Sequence, residues 1–292
     1  MLGRLILQNL EKYGFPYPID KSVCSGWTND LPRGGETIIY TSCMYQTASL
    51  TDVFVKFIPY AEKLSTLAFL AKYIKPDKAS LNRAYQVLKN ISSLLKKNGI
   101  NFGYLYEEEP YSGAILLELG YLGEFKEHAQ KVYNFLKSKG VKRVITVDPH
   151  THNALTRYKE FIDFNIEVVS YLELIKDVKG KVNGNYVVHD SCLYSRFLNL
   201  RDAYRGLIAR AGIRIVDDEL ITGKDTSYCC GSPIKPVNQE LSEKIAKLRV
   251  KQLKKLSDKI IVVCPMCYAN LSKFYDKIYD LAGWWNELGR GN

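Results

Sequence analysis

The sequence predicts an α/β protein: two pseudo-symmetric βαβ-rich halves with short parallel sheets, behind an irregular N-terminal arm. Three observations predict it. The apolar runs Val144–Val147 and Ile260–Val263 have strand length and no charged residue, with Thr146 the one hydroxyl, which suits strands buried on both faces of a parallel sheet. Basic helical segments alternate with these runs, the pattern of βα units. A weak internal repeat joins the two. The stretches Lys137–Leu155 and Lys254–Leu271 each run from the end of a basic helix through a short turn and an apolar strand into a Pro-containing segment that opens another helix.

Residues 1–35 contain Pro16, Pro18, Pro32, Gly34 and Gly35, which interrupt regular structure and leave room for one short helix. Residues 36–165 form the first half, with a strand at Thr37–Tyr40 leading to Cys43 and an extra helical segment near 51–75. Residues 166–292 form the second half, with a strand at Tyr186–His189 leading to Cys192. Lys97–Ile100, with Gly99, resembles Arg210–Ile213, with Gly212. Tyr111-Ser112-Gly113 then falls where Cys229-Cys230-Gly231 falls. Tyr111 precedes Asp148 by 37 positions and Cys229 precedes Cys264 by 35, so Asp148 and Thr151 take the places of Cys264 and Cys267.

Apolar residues make up 46% and charged residues 25% of the 292, as in ordinary globular proteins. The most apolar stretch, 51–75, holds Asp52, Lys56, Glu62, Lys63, Lys72 and Pro59, which argues against a membrane span. No secretory leader is recognisable, so the cytoplasm is expected, where thiols stay reduced and patterned cysteines serve as metal ligands. The net charge of +10 sits partly on Lys244, Lys247, Arg249, Lys251, Lys254 and Lys255, read as solvated helix faces. No nucleic-acid-binding pattern accompanies it, so no nucleic-acid partner is expected.

The chemistry lies in the cysteines. Five of the seven follow one spacing: Cys192, then Cys229-Cys230, then Cys264 and Cys267 in Cys-Pro-Met-Cys. Soft thiolates select zinc, copper(I) or iron–sulfur groups. Zinc takes four ligands, so a fifth thiolate is surplus, and an adjacent pair suits a multi-iron cluster in which neighbours reach different irons. The rival is a structural scaffold in which four of these cysteines hold zinc and one stays free. A dithiol oxidoreductase or cysteine hydrolase would need a thioredoxin context or a Cys–His pair. Each cysteine group follows a strand end, where α/β sheets bind ligands. Asp190 and Ser191 are expected to cap a helix beginning at Cys192, Pro265 to occupy a first helical turn, and Gly231 to allow a tight turn beside the cluster. Helix N-termini would aim N–H groups at the thiolates. His189 is either a donor behind these ligands or a packed strand-end residue.

The pattern Cys–X36–Cys-Cys-Gly–X32–Cys-X2-Cys, with His-Asp-Ser-Cys, Cys-Cys-Gly-Ser-Pro and Val-Cys-Pro-Met-Cys, resembles the CCG cysteine-rich domain of the heterodisulfide reductase B/D family. That family includes iron–sulfur subunits of glycolate or lactate oxidases and of anaerobic glycerol-3-phosphate dehydrogenase. Gln8-Asn9-Leu10-Glu11-Lys12-Tyr13-Gly14 resembles the segment preceding this domain in the D-type proteins. The resemblance implies a 4Fe-4S cluster, cubane or non-cubane, on Cys192, Cys229, Cys230, Cys264 and Cys267. It implies a redox subunit that passes electrons to or from a thiol/disulfide or quinone acceptor. Its partners would be a ferredoxin-like iron–sulfur subunit or a flavoprotein subunit, and any peripheral membrane association would come through them. Family members usually carry two such motifs. Here the first keeps only Cys43, so the first half should hold no such cluster.

Asp148, His150 and His152, with Cys43 and one of Glu107, Glu108 or Glu109, make a candidate mixed-ligand zinc or iron site. The competing readings are a decayed site filled by polar residues and a substrate or partner pocket. Cys24 reads as an ordinary thiol. Trp284-Trp285 reads as packing for the last helix or as a partner anchor.

Overall fold

In the computed structural model, which describes residues 2–57, 75–178 and 184–283, the strands form two all-parallel sheets. β1 (Thr37–Tyr40), β2 (Arg143–Thr146) and β3 (Glu167–Ser170) lie in the order β1-β2-β3. β4 (Asn185–His189), β5 (Arg214–Ile215), β6 (Ile260–Val262) and β7 (Ile278–Asp280) lie in the order β5-β4-β6-β7. Val187, Val188, Ile260, Ile261 and Val262 are fully buried, as strands covered on both faces must be.

The two sheets share a chain path. From β4 the chain crosses to β5 on one side and returns to β6 on the other. In the first sheet Gly103 takes the place of β5: it bridges Ile38 in parallel fashion, donates to Thr37 O at 2.9 Å and accepts from Ile39 N at 2.9 Å. The helices preceding these edges end alike. Gly99 and Gly212 both have φ of +75°, and the next residues donate back to Leu95 O and Ile208 O. Such left-handed C-caps suit glycine, which has no Cβ to clash.

The chain sorts into two units, Met1–Tyr85 with Asn101–Ser170, and Gln86–Ile100 with Tyr171–Asn292. These differ from the expected 1–35, 36–165 and 166–292 in three ways. The N-terminal residues belong to the first unit, because the helix Leu2–Tyr13 buries Ile6, Leu7 and Leu10 and packs on the helix Leu122–Ser138. Residues 166–170 also stay there, because β3 pairs with β2. Residues 86–100 join the second unit, where Asn90 donates to Ala282 O at 2.8 Å and Asn98 Oδ1 accepts from Lys176 N and Asp177 N. Of the extra helical segment, Thr51–Phe57 is helical and residues 58–74 lie outside the described residues, as do Trp284 and Trp285.

Glu109 links packing in the first unit to pH. Its buried carboxylate accepts from Thr41 N at 2.9 Å and Thr41 Oγ1 at 2.8 Å, yet burial pushes its pKa from 4.5 up to about 7. The folded chain therefore holds a proton that the unfolded chain releases between these values, and stability falls as pH rises through that window. The full effect is on the order of 3 kcal/mol at ~1.4 kcal/mol per pKa unit. Glu109→Gln should flatten the change in urea-unfolding free energy between pH 5 and pH 8. An identical slope in both proteins would contradict this account.

Candidate metal centre

β4 and β6 are adjacent, and the chain leaves them toward opposite edges of the sheet. Their carboxyl ends therefore form a topological switch point, the usual ligand crevice of an open α/β sheet. Cys192 follows β4 and Cys264 follows β6, with Cys267 one helical turn further on. Cys229 and Cys230 arrive on the crossover from β5 to β6. The five sulfurs form an unbroken series of contacts: Cys192 to Cys229, Cys229 to Cys230, Cys230 to Cys267, and Cys267 to Cys264. None of the five is in a disulfide; Cys230, Cys264 and Cys267 are buried, while Cys192 and Cys229 are half-buried.

Local sequence fixes each segment. Cys264 is the extended N-cap of the helix Pro265–Leu271, with Pro265 in its first turn. Proline fits there because that position has no helical acceptor for an N–H. Gly231 has φ of +87°, and a Cβ on it would lie 2.6 Å from Ser242 O, so a glycine is required for both reasons. The turn it makes directs Gly231 N–H at Cys229 Sγ (3.4 Å) and Ser232 N–H at Cys230 Sγ (3.5 Å). Asn270 ties this turn to the helix Pro265–Leu271 by donating to Cys230 O at 2.7 Å.

The segment after β4 departs from expectation. Cys192 is itself the N-cap of a π-helical turn, Leu193–Phe197, and no side chain caps it. Such wide turns recur at functional sites. Asp190 is fully buried and turned the other way, accepting from Tyr204 Oη at 2.5 Å and from Arg205 Nε and Nη2 at 3.0 and 2.7 Å. Two charge-assisted bonds from a guanidinium fork outcompete one exposed-end N–H.

The electrostatics bear on what the set can hold. Hydrogen bonds from Cys192 and Cys230 hold Cys229 well below the ordinary thiol range. The bond to Cys229, then burial, pushes Cys192 up; its bond to Cys229 likewise pushes Cys230 up, and Cys230 in turn raises Cys267. One thiolate thus forces its neighbours to keep their protons. All five can ionise together only around a polycation, since like charges at contact repel. A donor set of five sulfurs with an adjacent pair fits a multi-iron group better than one tetrahedral zinc.

Two residues complete the site. A ring nitrogen of His189, at the end of β4, lies with the sulfurs of Cys230 and Cys267 inside one 4.8 Å group. Arg249 on the helix Gln239–Leu253 is 0% exposed and donates from Nε to His189 Nδ1 at 3.0 Å and from Nη1 to Ile221 O at 2.7 Å. Burial and the guanidinium push His189 down to about 3, so the ring is neutral. His189 Nε2 and Arg249 Nη2 are both buried with no hydrogen-bond partner among the described residues. Polar atoms left so are costly unless another acceptor fills the space. Arg249 corrects the reading of its helix as a solvated basic face. Lys244, Lys247, Lys251, Lys254 and Lys255 are exposed, but Ser242, Ala246, Arg249, Val250 and Leu253 form the buried stripe. Helical spacing was the signal that placed Arg249 inside.

The mixed-ligand site expected in the first half does not assemble. Cys43 is joined to Cys24 in a disulfide, which also corrects the reading of Cys24 as an ordinary thiol. Asp148 Oδ1 caps the helix Pro149–Arg157 through His150 N and Thr151 N, both at 2.9 Å. His150 Nδ1 pairs with Glu118 at 2.6 Å and His152 Nδ1 with Thr146 Oγ1 at 2.7 Å, because residues two apart on a helix diverge. Glu107 binds Ser25, Glu108 binds Lys139 and Glu109 binds Thr41. Ser112 N donates to Ser42 Oγ at 2.8 Å and His128 Nε2 meets Tyr111 O at 2.7 Å, so polar side chains and hydrogen bonds fill this place.

Residues 186–272 match the family described as CCG, Cysteine-rich domain. Over 202 residues the chain is 26% identical to a probable iron-sulfur-binding oxidoreductase, FadF, of Bacillus subtilis, covering 65% of this chain and 28% of that protein. It is 28% identical over 159 residues to the EtfAB:quinone oxidoreductase of Syntrophomonas wolfei, covering 52% and 22%. It is also 28% identical over 205 residues to the D-type subunit of the dihydromethanophenazine:CoB–CoM heterodisulfide reductase of Methanosarcina barkeri, covering 64% and 50%. The chain spans half or less of the length of these relatives.

Proposed function

We propose that this CCG-domain chain is an iron–sulfur redox subunit. Cys192, Cys229, Cys230, Cys264 and Cys267 would hold one 4Fe-4S cluster, of the non-cubane form that a five-thiolate set favours. The observation that carries the reading is the unbroken series of five sulfurs, none in a disulfide, at the sheet's switch point, beside two buried N–H groups that need an acceptor. The names of the relatives support it: an iron–sulfur oxidoreductase, a quinone oxidoreductase and a heterodisulfide reductase component. When bound, the group supplies one-electron storage at a potential set by its charge, hydrogen bonds and exposure.

The chain's own residues do the rest. Cys230, Cys264 and Cys267 bury one side and exclude water, while Cys192 and Cys229 face the surface. Arg196 Nε donates to Lys224 O at 2.8 Å and so ties the segment after Cys192 to the segment before Cys229. Phe197 and Tyr228, on these two segments, have exposed side chains. Electrons would cross this edge, from a flavoprotein or ferredoxin-like partner toward a thiol/disulfide or quinone acceptor. No helix among the described residues is long and apolar enough to cross a membrane. Any peripheral membrane association we assign to partner subunits. We place the chain in the cytoplasm, with the five patterned cysteines outside any disulfide and Cys24–Cys43 the exception. The test is spectroscopic. Anaerobically purified protein should show broad visible absorption that dithionite bleaches and an acceptor restores, with an accompanying EPR change. Colourless protein, or colour that never responds to reductant, would contradict the reading.

A further inference from the structure

We infer that Arg249 and His189 form a positioning pair that sets the reduction potential of the centre by donating N–H groups to its sulfurs. The inference rests on the iron–sulfur reading above and concerns residues outside the five-cysteine pattern. Arginine has only donors, so its bond to His189 Nδ1 fixes that nitrogen as the acceptor. An imidazole that accepts at Nδ1 carries its proton on Nε2. Nε2–H and the Nη2 hydrogens of Arg249 are buried without a protein acceptor among the described residues, on side chains that are 1% and 0% exposed. The centre's sulfurs are close by: Cys230 and Cys267 stand with a His189 ring nitrogen inside one 4.8 Å group, and a sulfur lone pair can accept an N–H. Both also feel the charge of Arg249.

Arg249 is in turn held in place. Nη1 is fixed by Ile221 O at 2.7 Å and Gln252 Oε1 at 3.3 Å, so the guanidinium cannot swing out to water. Taking up one electron adds one negative charge to the sulfur-ligated group. A fixed cation and an aligned N–H stabilise that state more than the oxidised one, and hydrogen bonds to sulfur are a known lever on potential. The pair should therefore raise the potential. Lys235, buried close enough to Cys230 to feel its charge, acts in the same sense and stays constant in the test.

The full chain, purified anaerobically, would be titrated with dithionite and followed by EPR, alongside iron and sulfide assays. His189→Leu removes the donor, whereas His189→Gln keeps an N–H near the Nε2 position. Arg249→Met removes the charge and Arg249→Lys keeps it. No variant has to be active, because the readout is the midpoint at unchanged iron content. His189→Leu and Arg249→Met should each reduce the equilibrium constant for reduction about tenfold, a fall of about 59 mV for one electron. His189→Gln and Arg249→Lys should recover at least half of it. Equal midpoints for wild type, His189→Leu and Arg249→Met would overturn the inference. Loss of iron in both His189 variants would also overturn it, by making the ring a ligand or a prop. If His189→Leu alone fails to fold, Arg249→Met against Arg249→Lys decides, and equal midpoints there overturn it. Wild-type protein without iron and sulfide would instead defeat the functional reading itself.

Discussion

Cys230→Ser should strip most of the iron and acid-labile sulfide from the anaerobically purified protein and bleach its visible absorption. Cys230 sits in the middle of the series, against Cys229 on one side and Cys267 on the other. It is 2% exposed, so no solvent ligand can replace it. Serine is nearly isosteric and leaves the Asn270 bond to the backbone carbonyl of residue 230 in place. The change therefore removes a soft ligand without removing the turn, and a hydroxyl is a poor substitute for thiolate on iron. Cys24→Ser is the control, since that sulfur belongs to the disulfide of the first unit and should leave iron unchanged. Retention of iron, sulfide and spectrum in Cys230→Ser would remove the adjacent pair from the ligand set.

Asp190→Ala should be the most destabilising single substitution near the centre, by about 3–5 kcal/mol, the usual cost of breaking a buried ion pair from one side. The carboxylate is fully buried and holds Tyr204 Oη and two nitrogens of Arg205, with Arg201 Nε 3.6 Å away. Asp217 still binds Arg205 from the exposed side, which places the expected value toward the lower end. Asp190 also adjoins Ser191 and Cys192, so its loss should loosen the Cys192 segment before it unfolds the sheet. Urea unfolding gives the first number and iron content at low denaturant the second. A change under about 1 kcal/mol would show that the network is slack and that something else positions Cys192.

Much of this was legible because strands and ligands leave periodic or punctuated traces. Val144–Val147 and Ile260–Val263 announced buried parallel strands, Pro265 a helix start and Gly231 a left-handed turn. The Gly99 and Gly212 correspondence marked two equivalent helix ends. What the sequence hid was set by tertiary partners. Asp190 reads as a helix cap until Arg205, 15 positions on, proves to be the stronger partner. Arg249 reads as surface charge because five lysines surround it, although its place on the Ser242–Leu253 stripe was visible. Cys43 reads as a remnant ligand because its position matches Cys192; its pairing with Cys24, 19 positions earlier, depends on where the N-terminal segment packs. His150 and His152 read as a metal pair only if extended, and Asp148 instead starts a helix that turns them apart.

The central claim is that the second unit gathers five thiolates around iron and inorganic sulfide. The most direct test is to assay iron, zinc and acid-labile sulfide in the full chain purified without oxygen. The account predicts about four iron and four sulfide per chain, the content of one 4Fe-4S group, with negligible zinc. About one zinc per chain and no sulfide would contradict it, because the same sulfurs would then be holding a structural ion.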